Sequence, residues 1–172
     1  EANVAGEWHG RTDGPLTAKG LQQGVDLAAR YDGITRVFAS PLRRTKETAT
    51  AFAAPFDLEV DVAEGLIEID FGAWEGLTTS EIGDRFPFEW HRVFTDGADL
   101  ARGGTGETFA GVGARMESQI RTLADENPSH RMALFTHGGA IWAFATRTIG
   151  LGWKDWRALA LPSNTSLTHV RF

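Results

Sequence analysis

The sequence predicts a single α/β domain with a mostly parallel sheet, and three observations lead to this class. Short apolar runs of strand length alternate along the chain with longer segments of helical period. Two of the apolar runs lead through small or polar residues straight into a helix, as strand–turn–helix units do. The 172 residues suffice for one domain, and a hydrophobic content of 42% is that of a globular protein.

The first half of the chain is predicted to alternate helices and strands after a long opening loop. Thr17 is a good N-cap residue, and Pro41 suits the first position of a helix. Residues 58–62 alternate in polarity, as a half-buried strand does. In order, we expect a loop over residues 1–16, a helix over 18–31, a strand over 37–39, a helix from 42 to 55 and a strand over 58–62.

The second half of the chain is predicted to continue this alternation. Phe109, Val112 and Met116 begin an apolar stripe at helical spacing, and Pro128 marks the end of that helix. In order, we expect an extended segment over residues 66–72, a short helix over 78–86, a long helix over 108–126, a strand up to 135, a helix up to 150, a short helix over 153–161 and a closing strand over 166–172.

The charge and the absence of cysteine exclude several functions. A net charge of −6 argues against a general nucleic-acid binder and a basic membrane-surface module, so an anion site has to be a local cluster of basic residues. Without cysteine there is no disulfide scaffold, thiol nucleophile or thiolate metal site. No apolar run is long enough to cross a membrane. The 5 histidines never fall at i,i+4 spacing, so no metal is predicted.

One strand-to-helix join places a histidine where it can meet an anion. The apolar run that ends at Phe135 leads into Thr136-His137-Gly138-Gly139, and an apolar helical run follows. Ligands of open α/β sheets bind outside the carboxyl ends of the strands, and the N–H groups of a helix N-terminus suit an anion. His137 is therefore a candidate phosphate ligand, although a turn histidine that only caps the strand is equally compatible with these residues.

Arg44 and Glu68 are the other two candidates for chemistry. Arg44 lies in the first turn of the helix after strand 37–39, and parallel strands bring both joins to one edge of the sheet. A guanidinium can bind two phosphate oxygens, but a solvated surface position is the more common fate of an arginine. Glu68 stands between Ile67 and Ile69, so burial can raise its pKa and suit it to general-acid catalysis. Simple in–out alternation would instead leave Glu68 in solvent.

The opening loop and the standard nucleotide motifs carry weaker signals. Asn3, His9 and Gly10 can line a pocket, but alone they are ordinary loop residues. The chain has no Gly-x-Ser-x-Gly nucleophile elbow, no P-loop and no dinucleotide glycine fingerprint.

Several short motifs follow one another along the chain. They are Glu1-Ala2-Asn3, His9-Gly10-Arg11 with Pro15–Gly20, Ala39–Thr45 with Thr48-Ala49, Leu66–Gly72 with Trp74-Glu75-Gly76, Gly106-Glu107-Thr108, and Thr136–Gly139. Each motif is only moderately specific, but all of them occur in order and at sensible spacing. Taken together, they resemble the histidine phosphatase superfamily, also called the phosphoglycerate mutase-like family, over nearly the whole chain.

The resemblance implies a three-layer α/β/α sandwich and a phosphomonoesterase of the histidine acid phosphatase-like type. In this family a histidine at the end of the first strand attacks phosphorus and becomes phosphohistidine, which water then hydrolyses. By position, Arg44 and His137 would hold the phosphoryl group, and Glu68 would protonate the leaving oxygen. The phosphate and substrate pocket would be completed by Asn3, His9, Gly10 and the amide of Gly138. These roles need no metal ion and no cofactor.

The Arg-His-Gly motif that carries the family's nucleophile is absent from residues 1–172. By position it would stand a few residues before Glu1, together with its neighbouring arginine and the first, central strand. We therefore expect residues 1–172 to form one histidine phosphatase-like domain that is N-terminally incomplete, with its nucleophilic histidine upstream of residue 1.

Two alternative functions stay open at this point. Mutase-type transfer on phosphoglycerate would need a basic grip on the substrate carboxylate, for which Arg85, Arg92 and Arg102 are candidates. A non-catalytic phospholigand-binding domain would follow if the upstream histidine is absent. The expected partner is a small phosphorylated molecule, with no nucleic acid and no membrane. We expect a cytoplasmic protein, and the sequence leaves a homodimer open.

Overall fold

Three short parallel strands form the sheet in the computed structural model, which describes residues 6–171. Ala39 of the first strand lies opposite Val62 on one side and Phe135 on the other, so this strand is central. Parallel pairing puts the carboxyl ends of the strands at one edge of the sheet. The strands are β1 (Arg36–Ala39), β2 (Val60–Val62) and β3 (Met132–Phe135), in the order β2-β1-β3.

Helices surround this sheet, and three of them begin at a threonine that satisfies an unpaired backbone N–H. Thr17, Thr78 and Thr108 each accept such a bond, and Glu81 completes a capping box with Thr78. Between residues 6 and 171, no helix combines the length and the apolar character that crossing a membrane requires. The helices are α1 (Ala18–Ala28), α2 (Arg43–Ala53), α3 (Thr79–Arg85), α4 (Pro87–Phe94), α5 (Phe109–Glu126) and α6 (Gly138–Thr148).

Alternate side chains of the strands point into two separate cores. Val37, Ala39 and Phe135 pack with buried residues of α1 and α2 on one face of the sheet. Phe38 and Leu134 pack with α5 and α6 on the other face. The predicted class, a parallel sheet between two layers of helices, is therefore confirmed.

The strands differ in burial because they differ in their neighbours. Val37 and Ala39 in the central strand are 0% exposed, whereas all four residues of β3 are only half-buried. Within residues 6–171, no strand pairs with the outer edge of β3. This edge therefore leaves backbone N–H and C=O groups of the sheet without a strand partner in the described part of the chain.

Two elements predicted near the C-terminus are wrong. Residues 166–171 are irregular rather than a strand, and Leu167 is 63% exposed. Alternating apolar residues form a stable strand only where they pair with another strand, and this segment pairs with none among the described residues. The predicted helix over 153–161 is a single 3₁₀ turn at Trp153–Asp155, because such short helices are marginal without strong packing.

Two further differences concern the helices. The first helix ends at Ala28 instead of residue 31. Helix α4 is not predicted from the sequence, because Pro87 looks like a helix breaker. It occupies the first helical position, where its missing N–H costs no hydrogen bond.

Candidate active site

The ends of β1 and β3 bring a serine and a histidine into contact at the carboxyl edge of the sheet. Ser40 follows β1 and donates its backbone N–H to the Phe135 carbonyl at 2.9 Å. His137 stands just after β3 as the N-cap residue of α6. Its Nε2 lies 2.7 Å from Ser40 Oγ, and both side chains are buried. The strand register therefore fixes the position of the histidine that the sequence predicts as an anion ligand.

Burial keeps the His137 imidazole neutral at physiological pH. Its removal from water, together with the charges of Arg44 and Arg115, lowers the pKa of His137 from 6.5 to about 3. A neutral imidazole offers one N–H donor and one acceptor. An anion bound beside the ring would favour its protonated form, so the imidazole can strengthen its hold as negative charge enters the site.

Glu68 reaches the first turn of α6, next to His137. Its Oε1 accepts the N–H groups of Ile69 at 2.9 Å and Ala140 at 2.8 Å, and its Oε2 accepts that of Gly139 at 3.1 Å. Burial raises the pKa of Glu68, and these hydrogen bonds only partly oppose the shift. Glu68 is 8% exposed, so simple alternation into solvent does not describe this residue.

The guanidinium of Arg44 lines the same cleft and holds the opening loop. From the first turn of α2 it donates to the carbonyls of Gly10 at 2.7 Å and Thr12 at 2.9 Å. Burial lowers the pKa of Arg44 and outweighs the charges of Glu68, Asp13 and Glu75, which raise it. These two bonds leave further N–H donors of the five on a guanidinium for an anion.

Glu75 binds N–H groups of the opening loop, whereas Arg44 binds its carbonyls. Its carboxylate accepts the N–H of Gly10 at 3.1 Å, the N–H of Arg11 at 2.9 Å and the hydroxyl of Thr12 at 2.9 Å. Burial raises the pKa of Glu75, but these bonds outweigh it and the pKa lies below its ordinary value. A side chain at Gly10 would collide with the carbonyl of Ile69, so the loop needs glycine here.

The structure places the remaining predicted residues in different situations. Both backbone polar atoms of Gly10 are engaged by Arg44 and Glu75, which makes it an anchor of the loop. His9 lines the cleft, and its Nε2 lies 2.8 Å from Glu7 Oε2. Gly138 opens α6 and also lines the cleft. Asn3 lies outside the described residues.

Several of these residues open on one large cleft with a volume of about 2190 Å³. Arg44, Glu68 and His137 line it, and so do β3 and the irregular segment 161–170. Clefts for small ligands usually measure roughly 300–1,000 Å³. The cleft is therefore larger than a small phosphorylated molecule would need.

Sequence reasoning missed Ser40, Glu75 and Arg115, which carry contacts in or beside the site. The Ser40–His137 contact joins residues 97 positions apart, and the Glu75–Gly10 contact joins residues 65 positions apart. The signal that could have pointed to Ser40 and Glu75 is their place inside two of the motifs. Arg115 lies in an ordinary amphipathic helix and carried no signal of its own.

Sequence and structure comparisons identify the family. The chain matches the histidine phosphatase superfamily (branch 1) over residues 1–172. It is 31% identical to a probable phosphoglycerate mutase, GpmB, of Salmonella arizonae over 171 residues, which cover 95% of this chain and 76% of that protein.

Solved structures of two phosphatases have the same fold. A mycobacterial glucosyl-3-phosphoglycerate phosphatase superposes with a TM-score of 0.81 at 27% identity, covering 94% of this chain and 80% of that one. Phosphoserine phosphatase from Entamoeba histolytica, solved with phosphoserine, gives a TM-score of 0.83 at 26% identity, covering 94% and 81%. The predicted family is confirmed, and the chain belongs to the histidine phosphatase superfamily.

Proposed function

We propose that this protein is a phosphomonoester hydrolase that works through a phosphohistidine intermediate. The observation that carries the proposal is the placement of His137, Glu68 and Arg44 around one cleft at the carboxyl edge of the sheet. A neutral imidazole and a guanidinium can hold a phosphoryl group, and a buried carboxyl can supply a proton. The phosphatases among the solved structures agree with hydrolysis.

In the proposed reaction, an imidazole nitrogen of a histidine upstream of residue 1 attacks phosphorus, and the ester P–O bond breaks. Arg44, His137 and the Gly138 amide hold the phosphoryl oxygens, where charge spreads in a loose transition state. In this proposal Glu68 enters protonated, a state that its raised pKa favours, and it gives its proton to the leaving oxygen. Water then attacks the phosphohistidine, phosphate leaves, and a proton of that water returns to Glu68. Placed donors stabilise the charge, so the proposal includes no metal ion.

The substrate pocket of the proposal includes His9, Gly10 and Asn3 in its wall. His9 lines the cleft directly, and Gly10 supports the loop on which His9 stands. The substrate is a small phosphorylated metabolite, and no nucleic acid or membrane takes part. We extend the proposal to a cytoplasmic location. A homodimer stays open, and light scattering of the intact protein decides it.

We also propose that a strand preceding residue 1 completes the domain. Two observations support it: the outer edge of β3 has no strand partner among the described residues, and the cleft beside it is lined by segment 161–170. A strand between β3 and this segment would bury the half-exposed side chains of β3. Its carboxyl end would lie at the same edge of the sheet as His137, where the nucleophile has to stand.

Mutase-type transfer is the less favoured alternative because the candidate carboxylate grip is not in place. Arg102 is 1% exposed, lies over the ring of Trp153 at 4.2 Å and pairs with Asp99 at 3.4 Å. The side chain of Arg92 is 60% exposed and lies 4.0 Å from Asp96. Arg85, the third candidate, is exposed. Of the three arginines only Arg102 lines the cleft, so they do not form one grip on a substrate carboxylate.

The test begins with the intact protein and a panel of alkyl, sugar and aryl phosphate esters. We expect a mass well above 18.7 kDa, an Arg-His-Gly motif upstream of residue 1, and release of inorganic phosphate. His137→Ala and Arg44→Ala should each lower kcat/KM by about 100-fold or more, and Glu68→Gln should do so for alkyl esters. Circular dichroism and urea unfolding check that each variant is folded.

Ser80→Ala, an exposed position on α3, is the matched control and should keep full activity. An intact protein that has the upstream histidine but releases phosphate from no ester would refute the proposed function. Near-normal turnover in a folded variant would refute the role of that one residue. An intact mass equal to that of residues 1–172 would refute the completing strand.

A further inference from the structure

Arg115 on α5 binds the backbone of two residues that precede Glu68. Its Nη1 donates to the carbonyls of Gly65 and Ile67, at 2.8 Å each. The segment that carries Glu68 is irregular at this point, because the 3₁₀ turn Glu64–Leu66 ends just before it. The guanidinium therefore supplies fixed partners to a stretch of chain that has no ladder or helix of its own.

Glu107 holds both the guanidinium and the far side of the same segment. It accepts Arg115 Nε and Nη2 at 3.0 Å each through its two carboxylate oxygens, a bidentate pair. Its Oε2 also accepts the N–H of Asp70 at 3.1 Å, and its backbone N–H donates to the Asp70 carbonyl at 2.9 Å. The Arg115–Glu107 ion pair thus binds the backbone at Ile67 and at Asp70, on the two sides of Glu68.

The ion pair has the physical properties that a rigid support needs. The side chains of Arg115 and Glu107 are only 21% and 23% exposed, so solvent screens the pair less than a surface ion pair. Burial raises the pKa of Glu107, but the hydrogen bond and charge of Arg115, together with the Asp70 N–H and the charge of Arg11, outweigh it and lower the pKa overall. Lysine could not replace the planar fork, which donates to four acceptors in fixed directions.

We infer that Glu107 and Arg115 are positioning residues that hold Glu68 where it can protonate the leaving oxygen, an inference that rests on the proposed function. General-acid catalysis demands that the carboxyl lie within hydrogen-bond reach of that oxygen, and a shift of about 1 Å can cost on the order of 100-fold in rate. Neither Glu107 nor Arg115 lines the cleft. Lysine at position 115 would keep the positive charge that acts on His137, so the effect of Arg115→Lys should be confined to steps that use the proton of Glu68.

The test measures how the intact protein hydrolyses two phosphate esters whose leaving groups differ in their need for a proton. One is 4-nitrophenyl phosphate, whose leaving group departs as a stable anion, and the other is the alkyl phosphate of the panel that the protein hydrolyses fastest. Arg115→Lys should lower kcat for the alkyl ester by about 30-fold with little change in KM, and lower kcat for the aryl ester by less than about 3-fold. Glu107→Gln is the second variant, in case the lysine variant does not fold.

Combining each variant with Glu68→Gln tests whether its effect on kcat acts through Glu68. If Arg115 acts through Glu68, Arg115→Lys should cause no further loss for the alkyl ester once Glu68 is already glutamine. Arg147→Lys is the matched control, because Arg147 on α6 pairs with Glu117 on α5 at 2.7 Å. That variant should leave both esters unchanged.

The outcomes separate the two levels of the proposal. Equal losses on both esters, or additive losses in the double variant, would show a general structural role and would overturn the inference alone. An intact protein that hydrolyses neither ester would overturn the proposed function and this inference together. A selective loss on the alkyl ester that disappears in the Glu68→Gln background would support both.

Discussion

The Ser40 hydroxyl connects the imidazole of His137 to the end of the neighbouring strand. The two groups lie 2.7 Å apart, and Ser40 is 0% exposed. Ser40 Oγ also accepts the N–H of Leu42 at 3.3 Å, so one small side chain links β1, β3 and the start of α2. The site therefore depends on buried polar atoms that have few alternative hydrogen-bond partners, because water does not reach them.

Ser40→Ala should therefore cost both stability and turnover. Removing the hydroxyl leaves a buried nitrogen of His137 without this partner, which typically costs about 1–3 kcal/mol. We expect a lower urea midpoint and a fall in kcat of about 10-fold, because the imidazole loses its orientation. Ser80→Ala, on the exposed side of α3, should change the free energy of unfolding by less than about 0.5 kcal/mol. A Ser40→Ala protein with wild-type midpoint and kcat would show that His137 is oriented by other contacts.

At the scale of elements, the Glu68 side chain joins its segment to the first turn of helix α6. The Glu68 carboxyl accepts N–H groups of Gly139 and Ala140, which a helix N-terminus leaves without intrahelical partners. The closeness of this approach shows in the glycine: a Cβ on Gly139 would lie 2.8 Å from Glu68 Oε1 and 3.2 Å from Ile69 Cγ2.

Gly139→Ala should displace the Glu68 carboxyl and weaken proton donation. Alanine favours a helix over glycine by roughly 1 kcal/mol, so the helix itself gains while the contact with Glu68 is lost. We expect a fall in kcat/KM for alkyl phosphates of at least about 10-fold, with a much smaller effect on 4-nitrophenyl phosphate. Gly83→Ala in α3 is the control for helix propensity, since a Cβ there meets nothing within 4 Å. Equal behaviour of the two alanine variants would argue against close packing at Gly139.

The local sequence pattern predicted the strand–turn–helix units. It could not predict the contacts between residues far apart in the chain, which complete the site. The units that end in Ser40 and His137 follow from apolar runs and turn residues, which are local properties of the chain. The bond between Glu68 and Ala140 joins residues 72 positions apart, and no pattern within either segment specifies it. The closing strand over 166–172 was wrong for a related reason, because alternation describes a strand but does not supply the neighbouring edge.

At the scale of the whole molecule, the buried histidine makes folding stability depend on pH. The pKa of His137 is about 3 in the folded protein and 6.5 in the unfolded reference. As pH falls from 6.5 towards 3, His137 therefore binds a proton in the unfolded chain but stays neutral in the folded protein. The contribution is complete above pH 6.5 and is lost progressively below it, with a slope approaching ~1.4 kcal/mol per pH unit.

His137→Asn should remove this slope. Between pH 7.5 and pH 5 we expect the wild-type protein to lose about 2 kcal/mol of unfolding free energy relative to the variant, measured by urea denaturation at each pH. Comparing the two proteins cancels the opposite contribution of Glu68, whose raised pKa makes the folded state bind a proton more tightly. Parallel curves for the two proteins would mean that His137 titrates similarly in the folded and unfolded states.

Inorganic sulfate, which resembles phosphate in shape and stays a dianion between pH 7.5 and pH 5, extends the same measurement to the site itself. A sulfate dianion beside His137 favours the imidazolium and should raise its folded pKa, so saturating sulfate should flatten the wild-type curve relative to that of His137→Asn. Sodium chloride at matched ionic strength controls for screening and should leave the difference between wild type and His137→Asn largely intact, because burial limits screening. If sulfate stabilises the wild-type protein equally at every pH, the anion binds away from His137, and the histidine would lose its proposed place in the phosphoryl site.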